Sequence, residues 1–131
     1  MTKLKIKCFS ADTIFSVNLE LDYHNQEASV RLLCLDNPNF IGIGNNYFEA
    51  LNCLRRKLEL NNYFLCINGS RRDFYPSNMT LQMSLGCIGY RLELGKQGTE
   101  KLNTFDECSD QTKIVTVLEQ KRAFSEWVKS L

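Results

Sequence analysis

Histidine is nearly missing from this chain: His24 is the only one in 131 residues. With one imidazole and no Cys-x-x-Cys, the paired ligand spacing that makes a zinc site readable is absent, and neither metal nor cofactor is expected. His24 lies in the polar string Tyr23-His24-Asn25 with no neighbour to orient it as a base, so it reads as a solvated loop histidine and no catalytic residue is expected. Net charge is equally scarce. Sixteen Lys and Arg against fifteen Asp and Glu leave a formal +1, split as seven basic and seven acidic residues over 1 to 70 and nine and eight over 71 to 131. No global field therefore draws the chain onto nucleic acid or an anionic membrane, and neither half is a charged arm. Long apolar runs are missing too. Nothing approaches the roughly 18 residues of a transmembrane helix, and the opening Met-Thr-Lys-Leu-Lys-Ile-Lys-Cys alternates charge with apolar side chains where a secretory signal is continuously apolar. The expected compartment is the cytoplasm. There the six cysteines, at 8, 34, 53, 66, 87 and 108, are free thiols, with Cys8, Cys34 and Cys66 sitting in strand patterns as small hydrophobes.

What is present is the composition of an ordinary globular domain, 44% apolar and 24% charged, at a length that buries one core, so residues 1 to 131 read as a single domain. Leu4, Ile6 and Cys8 alternate with Lys3, Lys5 and Lys7, the period of a half-buried strand whose lysines suit a sheet edge. Ser10 to Asp12 break the pattern, and Phe15, Val17, Leu19 and Leu21 resume it as a hairpin partner. The polar run Asp22 to Glu27 reads as a loop. Val30, Leu32 and Cys34 form a central third strand, Asp36 to Asn39 a turn, and Phe40 to Ile43 a fourth strand ending at Gly44.

Asn46 and Glu49 have the spacing of a capping-box relative, and Tyr47, Leu51, Leu54 and Leu58 then make one stripe on a helical wheel. Arg55, Arg56 and Lys57 fall off that stripe and are expected to face water, with Asn61 and Asn62 ending the helix. A compact strand follows at 63 to 67, an irregular segment at Ser70 to Ser77, a short helix capped by Ser77 that stops at Gly86, and a strand through Tyr90, Leu92 and Leu94. Lys96 to Thr112 is the most loop-like stretch. Thr116 and Glu119 form a capping box for a last helix expected to bury Val117, Phe124, Trp127, Val128 and Leu131. The fold class is α+β: a largely antiparallel sheet with two main helices packed against it.

Few residues offer chemistry. Asp106, Glu107 and Asp110 are the one dense group of acids, either a solvated loop or a negative patch that meets a basic partner. Gly42-x-Gly44 lacks the remaining glycine and the lysine of a phosphate loop and reads as a bend or bulge. Arg55, Arg56, Lys57, Arg71 and Arg72, with Phe74 or Tyr75 to stack on bases, are what direct nucleic-acid binding would draw on; the better reading is a solvated helix face plus a locally paired Arg71-Arg72-Asp73.

The most distinctive string is Cys66-Ile67-Asn68-Gly69-Ser70-Arg71-Arg72-Asp73-Phe74-Tyr75-Pro76-Ser77-Asn78-Met79. Pro76 holds Tyr75 extended, Ser77 caps the next helix, and an arginine beside a carboxylate and a tyrosine hydroxyl can staple the segment to the sheet. The polar side chains crowded here also allow a pocket beneath residues 70 to 77, lined by Arg71, Asp73 and Tyr75, in a small ligand-binding or enzymatic domain.

This string, with Gly89-Tyr90-Arg91-Leu92, Thr116 to Gln120 and the helix from Phe124 to Leu131, resembles the immunity proteins of bacterial polymorphic and contact-dependent growth-inhibition toxin systems. The resemblance spans about residues 47 to 131, and its most specific element is Tyr75-Pro76-Ser77-x-Met79. The family usually has glycine where this chain has Asn78, a residue that tolerates left-handed backbone. The resemblance implies a cytoplasmic protein that is not an enzyme and that neutralises the C-terminal domain of a cognate toxin by binding it. Arg71, Asp73, Tyr75, Pro76, Ser77 and Met79 would then build the scaffold, and Asp106, Glu107 and Asp110 would contact the toxin.

Overall fold

A computed structural model describes residues 1–33 and 40–131. Cys34 and the turn expected at Asp36 to Asn39 lie outside the described residues. The chain forms an α+β fold in which the strands are antiparallel, and they divide into two sheets where one was expected. Strands β1 (Thr2–Ser10), β2 (Thr13–His24), β3 (Glu27–Leu32), β4 (Ile41–Gly44) and β5 (Phe64–Leu65) make a five-stranded sheet in the order β4-β3-β2-β1-β5. β6 (Phe74–Tyr75), β7 (Ile88–Glu93) and β8 (Lys96–Asn103) make a second sheet in that order. Three helices, α1 (Tyr47–Glu59), α2 (Asn78–Met83) and α3 (Val117–Ser130), complete the main elements. Among the described residues no helix is long and apolar enough to cross a membrane.

The first hairpin follows its alternation. Ile6 and Cys8 pair with Val17 and Phe15, with Ile6, Cys8, Val17, Leu19 and Leu21 in the core and Lys3, Lys5 and Lys7 outside. Cys8 and Phe9 of β1 pair with β5 and the Lys7 carbonyl accepts the Cys66 amide at 2.8 Å, so the edge expected of the lysine strand lies along the part that carries Lys3 and Lys5.

The loop expected over Asp22 to Glu27 is a correction. Strand pairing runs through Asp22↔Ser29 to His24↔Glu27, leaving Asn25 and Gln26 as a two-residue turn with φ of 51° and 62°. Polar residues extend the hairpin here because it projects beyond the core, where both faces meet water. Positive φ at both central positions is the geometry of a type I′ turn, for which Asn-Gly is the best pair. Gln26→Gly should accordingly raise stability by about 0.5–1 kcal/mol, read as a higher urea midpoint at unchanged slope.

α1 lies across the five-stranded sheet. Asn46 accepts the Glu49 amide at 2.9 Å, satisfying one of the amides a helix start leaves orphaned, and Glu49 accepts the amide of Asn45, the residue before the cap, at 2.9 Å. Leu51, Leu54 and Leu58 are fully enclosed with Val30, Leu32 and Ile67, and Asn62 ends the segment at φ 60°. One expectation on this helix fails: Arg55 does not face water but is 3% exposed, for reasons that belong to the site.

Lys96 to Asn103, expected as loop, is strand β8, paired with β7 from Ile88↔Asn103 to Glu93↔Lys96. Its string Lys-Gln-Gly-Thr-Glu-Lys is polar because little of this small sheet is covered. α3 packs chiefly against β6 and β7 of the second sheet and against α1. Its expected stripe is buried at Val117 and partly at Phe124 and Trp127, while Val128 and Leu131 are exposed at 48% and 59%; a three-stranded sheet is too narrow to cover a 14-residue helix to its end.

Candidate functional site

The distinctive segment is built as a hub between the two sheets. Residues Asn68–Ser70 form a 3-10 turn whose Asn68 and Gly69 amides donate to the carbonyls of Asp106 and Thr104 at 2.9 and 2.8 Å. Arg71 grips Asp73 with two bonds, Nε to Oδ1 at 2.7 Å and Nη2 to Oδ2 at 2.9 Å, a bidentate pair that is mostly shielded and fixes the chain before β6. Beneath it Gln120 Nε2 donates toward the carbonyls of Gly69, Arg71 and Phe74 at 2.9, 2.8 and 3.2 Å.

Arg55 reaches the same point from α1. Its Nη1 donates to Gln120 Oε1 at 2.6 Å, Asn52 Oδ1 at 3.0 Å and the Gly69 carbonyl at 3.1 Å, and its Nη2 to the Val115 carbonyl at 2.8 Å. A guanidinium has the five donors and planar fork for such a junction. Burial pulls its pKa down to about 10, opposed by the charge of Glu59, so it stays protonated at neutral pH. Sequence spacing put Arg55 off the apolar stripe and missed this role. The buried Gln120 one turn into α3, an amide on an otherwise greasy face, was the signal that a polar partner lay opposite.

The space beneath residues 70 to 77 is therefore occupied by Gln120 and Arg55. The Ser70 hydroxyl there is enclosed and has no hydrogen-bond partner among the described residues. Arg71 and Asp73 are committed to each other, and Tyr75 joins through its ring instead of its hydroxyl. That ring stacks on Phe124 with centroids 4.0 Å apart and planes 12° apart, and meets Phe48 edge-on at 5.1 Å. Phe124 in turn stacks on Trp127 at 5.9 Å, and the Trp127 indole donates to the Lys96 carbonyl at 2.8 Å. The Tyr75–Phe124 stack ties α3 to the second sheet and the Tyr75–Phe48 contact ties that sheet to α1, each pair stabilising by roughly 0.5–1.5 kcal/mol beyond its burial.

Ser77 caps α2 as expected, with a full capping box to Thr80: Thr80 N donates to Ser77 Oγ at 3.1 Å and Ser77 N to Thr80 Oγ1 at 2.8 Å. Asn78 is the first helical residue and has no positive φ, so the left-handed backbone considered for it is not used. Positive φ falls instead at Leu85, 54°, and Gly86, 81°, where α2 is brought to a stop. Met79 and Met83 point outward at 65% and 81% exposure, so Met79 is surface and not scaffold.

Two hollows flank the Tyr75-Pro76 ridge. One, about 580 Å³, is an open apolar groove walled by Tyr75, Tyr90, Leu92, Phe124, Trp127 and Met79, with no charged side chain among its lining. The other, about 500 Å³, lies between α1 and α3 and is lined by Asn52, Arg56, Gln120 and Lys121 with Glu49 and Cys53. Arg55 thus stands directly behind two of its walls.

The three candidate acids are exposed on a well-tied segment and each has its own partner. Glu107 pairs with Lys7 at 2.9 Å, Asp106 accepts the Asn103 side-chain amide at 3.0 Å, and Asp110 accepts the Thr112 amide at 3.0 Å and hydroxyl at 2.6 Å. Those Thr112 bonds hold the Asp110 carboxyl below its usual range. Asp106 and Glu107 border one cleft together with Lys5 and Lys7, so the acidic charge is interleaved with the basic edge of β1.

Nucleophiles are subdued. Burial pushes the Cys8 thiol up to about 11 and raises Cys66 and Cys87 as well, which lowers their thiolate fraction. The described cysteines are free, and among the described residues no group of three or more His, Cys, Asp or Glu could hold a metal ion. Arg55 buried and Arg71 paired also break up the basic cluster considered for nucleic acid.

The arrangement defines an α+β protein with a rigid polar hub beneath an exposed aromatic groove. Compared with protein-family models and with curated proteins, the chain matches none.

Proposed function

We propose that this chain is a cytoplasmic immunity protein that binds and neutralises the C-terminal domain of a cognate bacterial toxin and carries out no catalysis. The observation that supports this reading best is the open aromatic groove, formed by the same Tyr75-Pro76-Ser77-x-Met79 segment that carries the resemblance. Exposed apolar surface rimmed by polar residues marks sites of protein contact, and aromatic side chains with methionine are the types enriched in the core of interfaces. The hub of Arg55, Gln120 and the Arg71–Asp73 pair keeps that surface preorganised, which reduces the entropy lost on binding.

Asp106, Glu107 and Asp110 serve the same function as a second, steering contact. Exposed carboxylates speed association with a basic toxin face such as that of a nuclease, through charge complementarity that salt screens. The decisive experiment is co-expression with the toxin domain encoded by the gene immediately upstream: the two should co-purify, and toxicity should be suppressed. Charge reversal of all three acids should then slow association at low salt by about tenfold or more. A toxin domain that neither co-purifies nor is neutralised removes the proposal, and an unchanged association rate at low salt removes the steering role alone.

A further inference from the structure

Around the α1–α3 hollow, cations and carboxylates fail to pair. Glu49, Glu59 and Glu119 each accept a backbone amide, from Asn45, Val117 and Thr116, at 2.9, 3.0 and 3.2 Å. Their chain neighbours Arg55, Arg56 and Lys121 have no carboxylate within 4 Å among the described residues. Arg55 spends its bonds on neutral oxygens, two of which belong to Asn52 and Gln120 in the wall of the hollow. Arg56 and Lys121 stand exposed at its mouth, and among the described residues neither has an ion-pair partner. Glu49 also borders it, and with Glu59 offsets part of the field at a distance, but neither occupies those donors. A guanidinium at full charge in a low-dielectric wall strengthens the field on whatever enters. The ridge of Tyr75, Pro76 and Leu81 is shared by this hollow and the aromatic groove, so one ligand chain can occupy both.

We propose that the two hollows form a single docking surface for a segment of a partner protein that carries a large apolar side chain next to carboxylates. The apolar side chain seats among Tyr75, Tyr90, Phe124 and Trp127, and the carboxylates cross the ridge to Arg56 and Lys121. The groove supplies apolar area and the hollow supplies Arg56 and Lys121, two cations whose donors the bordering Glu49 does not occupy, so apolar burial gives the affinity and ion pairing the register. This deepens the immunity reading and rests on it for the partner's identity as a toxin domain, though not for the chemistry of the surface.

The test is a titration of the isotope-labelled full chain, followed by nuclear magnetic resonance, with three probes. These are a short synthetic peptide with a Leu-Phe core flanked by Asp and Glu, its counterpart with Lys in place of the acids, and inorganic phosphate. The acidic peptide should shift the Trp127 indole and the side-chain signals of Arg56 and Lys121 together, and the lysine peptide should bind at least about tenfold more weakly. Arg56→Glu combined with Lys121→Glu, both at exposed positions, should weaken the acidic peptide by a similar factor while the spectrum remains that of a folded chain. No coincident shifts at the highest soluble concentration overturns the proposal, as does phosphate reproducing the Arg56 and Lys121 shifts while the peptide leaves Trp127 unmoved, which would mark a small-anion site. A toxin domain that binds the double variant as tightly as the parent places the contact elsewhere and leaves the immunity reading standing. An acidic peptide that binds where no toxin domain does retains the surface and removes that reading.

Discussion

Arg55→Met should cost about 3 kcal/mol of folding stability, a large share of what a domain of this size holds. Methionine matches the stem in length and apolar character but supplies none of the four hydrogen bonds. The Gly69 carbonyl keeps the Gln120 amide at 2.9 Å and Asn52 can turn to the open hollow, so neither is stranded. The Gln120 Oε1 and Val115 carbonyl lose the donors at 2.6 and 2.8 Å, and a buried acceptor left without a donor costs about 1–3 kcal/mol. Relief of the charge's own desolvation returns part of this. Arg55 and Gln120 act as one unit, so Gln120→Leu made in the Arg55→Met background should cost about 1–2 kcal/mol less than in the parent. Urea unfolding of the four variants measures both quantities. A loss below about 1 kcal/mol for Arg55→Met would show that the bonds seen here contribute little.

Arg55 also shows where sequence reading stops. Periodicity located α1, since Leu51, Leu54 and Leu58 must face one way, and the capping side chains Asn46, Ser77 and Thr116 located three helix starts, since their role is local. The fate of an off-stripe arginine depends on what the chain brings opposite it 60 and more residues later, here Val115 and Gln120. The second sheet escaped for a related reason. β8 has the polar composition of a loop, and only its pairing with β7 makes it a strand; propensity in strands reflects neighbours more than the residue alone. Of the candidate site, the motif's Ser77 cap and the Arg71–Asp73 pair were legible, being contacts within three residues. The groove was not, because its walls come from β6, β7 and α3, and Phe124 and Trp127 read as core when they are shared between core and surface.

Gly42→Ala should be the most damaging single methyl in the chain. β4 was expected to bend or bulge at its glycines, yet Val30↔Gly42 and Ala28↔Gly44 pair in regular register with β3, so the requirement is space, not backbone freedom. A Cβ at residue 42 would lie 1.9 Å from the Ala50 carbonyl oxygen and 2.5 Å from the Leu54 amide nitrogen. Both are atoms of the α1 backbone, which cannot rotate aside as a side chain would, and interiors this densely packed offer no slack. Relief requires α1 to lift from the sheet, opening the contacts of Leu51 and Leu54 and pulling Arg55 off its acceptors. Overpacking against a flexible neighbour costs about 1–3 kcal/mol, and here lost burial adds to it, for a total of roughly 4 kcal/mol or more. Gly95→Ala is the matched comparison: the added methyl meets nothing within 4 Å, and only the positive φ of 78° resists it, at roughly 1 kcal/mol. Thermal unfolding of the pair should therefore separate them widely. Equal midpoints would mean that β4 and α1 can part without loss, and that the groove does not depend on the seat of α1.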